Sequence, residues 1–466
     1  MKKSSLALML GSVFCLAPIS ALAQPVSFEQ AWQLVQQNND SLAASQANLQ
    51  RYQYMQDSRD SLNLPSISLS ANYTMLDQNV SVNGQQLLDA TSIDNAALAS
   101  IIGGLVGNID ASGLSTTISD RHVYGSSIRA VWPIFTGGKI TAAQDIAAGQ
   151  TEEARSQFEM ERQAKYEDLS KYYFGVVLAQ EVLETRKAVE KGLSQHRDFA
   201  IKLEKQGQIA KVERLQAEAS LDKAKVDRQK AQRDLDIAIT ALASLLNQSD
   251  ISLDSRLFVN EVLPPLDAFI DQTIATYPGL RILDAKEKQA SNLVKVEKSA
   301  YYPNVYLYGD YSLYEHDSLA SQMKPDWLVG IGVSVPIIDT NGRSDRAQAA
   351  HSAVLQVQYL RDQAKRDLSV LVEKTYLEAE QAVEEVHGLN SSLKLANENL
   401  NLRSKAFTQG LSNSLEVVDA ELYLASIKTQ QHLAKYNYLI SLSKLLALSN
   451  EMSTFAQYQQ SATDSQ

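Results

Sequence analysis

Apolar residues recur at helical spacing over 27–63, 138–205, 209–247, 265–300, 343–408 and 413–449, with few breakers inside each stretch. Two of these, 138–205 and 343–408, are unusually long, and the first predicts about 100 Å of helix at ~1.5 Å per residue. No compact globular domain needs that length. In 209–247, Ala217, Ala224, Ala231 and Ala238 fall at seven-residue intervals, followed by Leu245, with Leu221, Leu235 and Leu242 beside them. A heptad seam of small residues predicts closely approaching, supercoiled helices. The last long segment carries a matching seam in Ala420, Ile427, Ala434, Ser441 and Leu448.

Between the helices the period changes to two. In 66–75, Ile67, Leu69, Ala71, Tyr73 and Met75 alternate with Ser66, Ser68, Ser70, Asn72 and Thr74. The segment 124–132 sets Ile128, Ala130 and Trp132 against Ser127 and Arg129, and 304–314 sets Val305, Leu307, Tyr311 and Leu313 against Asn304, Asp310 and Ser312. In 327–335, Trp327, Val329, Ile331, Val333 and Val335 alternate with Gly330, Gly332 and Ser334. Strands of about ten residues, apolar on one face and polar on the other, fit an outer-membrane barrel. A soluble helical bundle and a β-sandwich edge are the plainer alternatives. Four strands cannot enclose a channel, so several chains must contribute.

The pattern is written twice. At a constant offset of 203, Pro133 matches Pro336, Tyr173 matches Tyr376, Gly207 matches Gly410, Ala217-Glu218 matches Ala420-Glu421, and Asn247 matches Asn450. At an offset of 238, Leu42 matches Leu280, Ala47 matches Ala285, Pro65 matches Pro303 and Tyr73 matches Tyr311. Most of the chain is therefore a duplicated unit. The expected boundaries are a first repeat over 24–247, a linker over 248–264, a second repeat over 265–450 and a tail over 451–466. Strand pairs are expected near 66–77 with 122–135 and near 304–315 with 326–338. The first pair carries an insert over 77–121, within which Ile93 to Ile118 reads as a short helix or a surface loop.

Composition adds compartment. Met1-Lys2-Lys3, the apolar run Leu6 to Ala17 and Ala21-Leu22-Ala23 predict a secretory signal over 1–23. The single cysteine, Cys15, lies inside it, so no thiol chemistry is expected of the mature chain. Removing Lys2 and Lys3 takes the net charge from −11 to −13, and there is no basic block, which argues against nucleic acid as a partner. After the signal no apolar run approaches the ~20 residues of a membrane helix, so any membrane span must be β-structure.

Candidate chemistry is thin. His122, His196, His316, His351, His387 and His432 are scattered without a metal-ligand spacing, and no phosphate loop or nucleophile motif occurs. Neither an enzyme nor a cofactor is expected. A periplasmic adaptor would need a lipoyl-like β-domain, and a trimeric surface stalk would carry one terminal barrel segment rather than two internal strand pairs. Both remain open as alternatives.

Leu64-Pro65-Ser66 and Tyr302-Pro303-Asn304 entering strands, Trp132-Pro133-Ile134-Phe135 and Val335-Pro336-Ile337 leaving them, and Gly207 and Gly410 between long helices resemble the TolC family of outer membrane efflux proteins. The resemblance implies an α+β fold in which an internally duplicated, long α-helical coiled-coil barrel carries four transmembrane β-strands per chain. Three chains would form a trimeric 12-stranded outer-membrane β-barrel, with an equatorial region from 248–264 and the tail. It implies a passive exit duct for drugs, small molecules or proteins in a tripartite efflux or type I secretion system. The implied partners are two further copies, outer-membrane lipid, a periplasmic adaptor and an inner-membrane pump. By the same resemblance, adaptor-binding tips fall at Gln206, Gly207, Gln208 and Ile209 and at Gln409, Gly410 and Leu411. Acidic rings at the periplasmic aperture fall at Glu416 and Asp419, whose spacing of three puts both carboxylates on one helix face. The aperture latch of the family's type member, an acid, a tyrosine and an arginine, maps onto Glu213, Phe407 and Ser412. Two of those three have lost the group that made the link.

Overall fold

A computed structural model describes residues 25–83, 115–248, 251–322, 324–338, 340 and 342–464. The expected signal over 1–23 lies outside the described residues, as do 84–114 of the insert. The chain forms two compact units. One gathers residues up to Ala47 with Ser156–Arg281 and Gln363 onward, and the other gathers Asn48–Arg155 and Ile282–Asp362.

The second unit holds the sheet. Strands β1 (Ser66–Met75), β4 (His122–Phe135), β5 (Asn304–Glu315) and β6 (Trp327–Ser334) lie in the order β1-β4-β5-β6, each antiparallel to its neighbour. Register pairs Leu69 with Ile128, Ile128 with Tyr311, and Leu307 with Ile331, so the apolar positions of all four strands share one face. That face is open: Ile67, Leu69, Val329, Ile331 and Val333 are each more than 60% exposed. The other face carries Ser66, Ser68 and Ser70, the Arg129–Asp310 ion pair at 3.1 Å, and Ser127 opposite Ser312. Inside the insert, β2 (Val80–Asn83) and β3 (Ser115–Ser119) pair as a separate two-stranded ribbon. Of the segment Ile93 to Ile118, expected as a short helix or surface loop, all but the last four residues lie outside the described residues, and Ser115–Ile118 adopt the extended backbone that Thr116, Thr117 and Ile118 favour.

Two predicted helices are each broken once, at equivalent places. The stretch 27–63 is α1 (Phe28–Asn38) and α2 (Asp40–Asp60), and 265–300 is α5 (Leu266–Thr276) and α6 (Pro278–Ser299). The breaks at Asn39 and Tyr277 stand 238 residues apart, the offset of the duplication. Tyr277 precedes Pro278, whose ring disfavours helical backbone before it, and the Asn39 side chain accepts from the amides of Ser41 and Leu42.

The long helices are α3 (Lys139–Lys205) with α4 (Lys211–Leu246), and α7 (Arg343–Thr408) with α8 (Ser414–Leu448). On α4 the seam residues Ala217, Ala224 and Ala231 are buried with Leu221, Leu235 and Leu242. On α8, Ala420, Ile427, Ala434, Ser441 and Leu448 are all buried. The ends repeat too, for Asn247 and Asn450 take left-handed backbone after α4 and α8. In the first unit α1 seats Phe28 among Tyr166, Tyr173, Phe174 and Phe455, the last from a terminal helix α9 (Phe455–Asp464) that the periodicity did not announce. The segment after 250 runs extended, with Val26 bridged to Leu253 and Asn260 bonded to Tyr438 and Tyr458.

Candidate functional site

The expected tip residues all belong to the first unit. Gly207 and Gly410 sit just past α3 and α7 with φ of +70° and +71°. At the first tip the amides of Gly207 and Gln208 donate to the carbonyls of Glu204 and Leu203, at 2.9 Å each. At the second, Gly410 and Leu411 donate to Phe407 and Ala406 at 3.0 and 2.9 Å. This paired closure satisfies the last carbonyls of each helix and requires the left-handed residue that glycine supplies. Gln206, Gly207, Gln208, Gln409, Gly410 and Leu411 are exposed, whereas Ile209 turns inward and packs against the apolar cluster of Ala200, Leu203, Ala217, Phe407 and Val417.

That cluster joins the two hairpins, because its members come from α3, α4, α7 and α8. Polar links reinforce it around one residue. The Glu213 Oε2 accepts from the Ser414 amide at 2.7 Å, and the Ser414 hydroxyl shares a hydrogen bond of 2.7 Å with His196 Nε2. Ser414 opens α8, so its amide is one of the donors that a helix start leaves unsatisfied. A carboxylate from the other hairpin fills that need. The Phe407 ring lies 4.4 Å from the His196 ring, and both side chains are buried. Burial pushes the His196 imidazole from its ordinary 6.5 down to about 4, against the upward pull of Glu213, so at neutral pH it is uncharged.

Each hairpin is also stapled within itself. Arg214 on α4 bonds Glu204 and Glu218 at 2.6 Å each, and Arg228 reaches Glu190 at 2.5 Å. On the second hairpin Glu416 is engaged by Arg403, by the Ser412 hydroxyl at 2.7 Å and by Asn413 at 3.2 Å. The Ser412 hydroxyl, and the Arg403 guanidinium after it, hold the Glu416 carboxyl below its usual range. Asn413 caps the helix by accepting from the Glu416 amide at 2.9 Å. The Glu416 carboxylate is therefore compensated by side chains of its own hairpin. Asp419 is exposed and makes no ion pair among the described residues.

Of the three expected latch residues, Glu213 and Phe407 fall in one cluster, while Ser412 turns to Glu416. His196, Arg403 and Ser414 complete the arrangement and were not singled out from sequence. Burial of His196 follows from its place on the inner face of α3, near Ala200 and Leu203, and no local motif marks it.

A sequence profile of the outer membrane efflux protein family matches residues 31–248 and 269–451. No curated protein sequence matches the chain significantly. Among solved structures, the chain is similar to the outer membrane protein VceC of Vibrio cholerae at 13% identity, with a TM-score of 0.71 over 91% of this chain and 96% of that one. The open state of the MtrE outer membrane channel of Neisseria gonorrhoeae gives 18% identity and a TM-score of 0.71, over 91% of this chain and 89% of that one. The CmeC outer membrane channel of Campylobacter jejuni gives 14% identity and a TM-score of 0.68, over 93% and 89%. With a profile match that spans both repeats and a fold shared along nearly its whole length, the chain belongs to the outer membrane efflux protein family, as a non-enzymatic outer-membrane efflux duct that extends into the periplasm.

Proposed function

We propose that three copies of this chain close a twelve-stranded barrel in the outer membrane, continued by a helical tunnel, and that the assembly is the passive exit duct of a tripartite efflux system. The carrying observation is the sheet. Its outer strands β1 and β6 have no further strand partner among the described residues, and one face is apolar and open. In lipid, unpaired edge amides and carbonyls are prohibitive, so only closure with neighbouring copies satisfies them. Chemical crosslinking of detergent-extracted protein should stop at three chains. A soluble monomer, or a ladder beyond three, overturns the reading.

The hairpin tips would be the docking points for a periplasmic adaptor tied to an inner-membrane pump. The exposed Gln206, Gly207, Gln208, Gln409, Gly410 and Leu411 favour this role, and Ile209 supports the turn from within. Asp419, with Glu416 behind its Arg403 partner, would ring the periplasmic mouth, and Glu213 with Phe407 would hold that mouth shut. We take the exported class to be small molecules, in keeping with the word efflux in the family's description. Deleting the gene should raise intracellular accumulation of a fluorescent dye. Normal dye export with loss of a secreted polypeptide would favour secretion instead.

A further inference from the structure

The polar face of the sheet holds two aromatic rings in an unusual posture. Tyr306 and Tyr308 on β5 lie opposite Gly332 and Gly330 on β6. A Cβ built on Gly330 would stand 2.5 Å from the Tyr308 Cζ and 2.6 Å from its hydroxyl, and one built on Gly332 would overlap the Tyr306 ring in the same way. Each ring is therefore laid across its strand partner, on ground that only glycine leaves free. The two centroids are 6.0 Å apart, and each tyrosine remains 38% exposed. They share their face with Asp310, which Arg129 already neutralises at 3.1 Å, and with Ser127 and Ser312.

We propose that Tyr306 and Tyr308 form an aromatic strip on the channel wall that contacts planar aromatic cations during their passage. The inference rests on the barrel reading, in which the apolar face meets lipid and the polar face lines the channel. The free side of a tyrosine ring attracts cations through its quadrupole and stacks with flat aromatic solutes. With the nearby carboxylate paired, the ring faces are what distinguishes this wall from one of serines. Laid over Gly332 and Gly330, with their planes tilted 45° to each other, the rings offer that contact close to the wall.

The test uses the intact protein in planar bilayers with ethidium as the aromatic cation and tetraethylammonium as the non-aromatic one. Ethidium should block the parent channel, and Tyr306→Leu with Tyr308→Leu should raise the half-blocking concentration about tenfold, as expected for two lost ring contacts. Tyr306→Phe with Tyr308→Phe should keep the parent value, and tetraethylammonium should behave alike in all three. Equal ethidium block in the leucine and parent channels overturns the proposal. A parent protein that crosslinks only as a monomer in detergent instead overturns the barrel reading itself. Should the leucine variant fail to assemble, Gly330→Ala with Gly332→Ala lifts both rings off the strand. An unchanged ethidium block in that variant would equally overturn the strip.

Discussion

His196 makes the joined tips sensitive to acid. In the closed arrangement it titrates at about 4, and in a tip that has opened to water it returns to its ordinary 6.5. Between those values the opened form binds more protons, so closure weakens as pH falls from 6.5 to 4 and is fully present above that window. The whole gap is worth about 3.4 kcal/mol, and at pH 5 about 2 kcal/mol is already lost, roughly a thirtyfold rise in the opening equilibrium. The groups around the ring do not cancel this. Glu213 pulls the other way but is already counted, Phe407 and Ser414 are neutral, and Arg197 on the same helix is paired with Asp198 at 2.8 Å. The assay is hydrogen exchange at the Ser414 amide, which donates to Glu213, read by mass spectrometry and corrected for the intrinsic pH dependence of exchange. Protection should fall about thirtyfold between pH 7.5 and 5. His196→Gln, which keeps a hydrogen-bonding partner for Ser414 without a titration, should remove that slope. A slope as steep in His196→Gln as in the parent would refute the reasoning.

Three further outcomes follow from the tips. Because Arg403 already compensates Glu416, Asp419→Ala alone should abolish most of any channel block by multivalent cations, and Glu416→Ala alone should change it less; the reverse order in bilayer recordings would move the ring to Glu416. Gly207→Ala and Gly410→Ala each force a side chain into positive φ and should lower stability by about 1 kcal/mol, seen as an earlier denaturant midpoint. Phe407→Tyr with Ser412→Arg, which restores the residues of the family's type member, should destabilise the tip by about 1–2 kcal/mol, because Phe407 is 1% exposed and a hydroxyl there is buried among apolar neighbours. A tighter mouth with lower resting conductance would show that the hydroxyl finds a partner after all.

The elements legible in the sequence were those with a period. Ala217, Ala224 and Ala231, and the seam from Ala420 to Leu448, are buried where the heptad put them, and alternation at 66–75 and 327–335 falls on β1 and β6. Two breaks are marked only by single residues, since Pro278 disfavours helical backbone at Tyr277 and Asn39 is a capping residue. The ribbon of β2 and β3 is hard to read because Val80–Asn83 offers only two apolar positions and Ser115–Ser119 only Ile118. At the tips the glycines announced the turns, through their need for positive φ. What Glu213, His196 and Ser414 do together depends on how two hairpins 200 residues apart face each other, and no local pattern carries that.

Glu213 and Glu416 occupy one and the same position of the duplicated unit, 203 residues apart, yet they have diverged in use. The first reaches to the neighbouring hairpin of its own chain, while the second folds back onto Arg403 of its own hairpin. A ring of six hairpins built from three copies would then alternate three seams bolted by this carboxylate with three seams lacking it. Such a mouth has threefold mechanics despite its nearly sixfold outline. Its three seams without the carboxylate would part first and its three Glu213 seams last, so its partly open currents should fall into two sets of three rather than one of six.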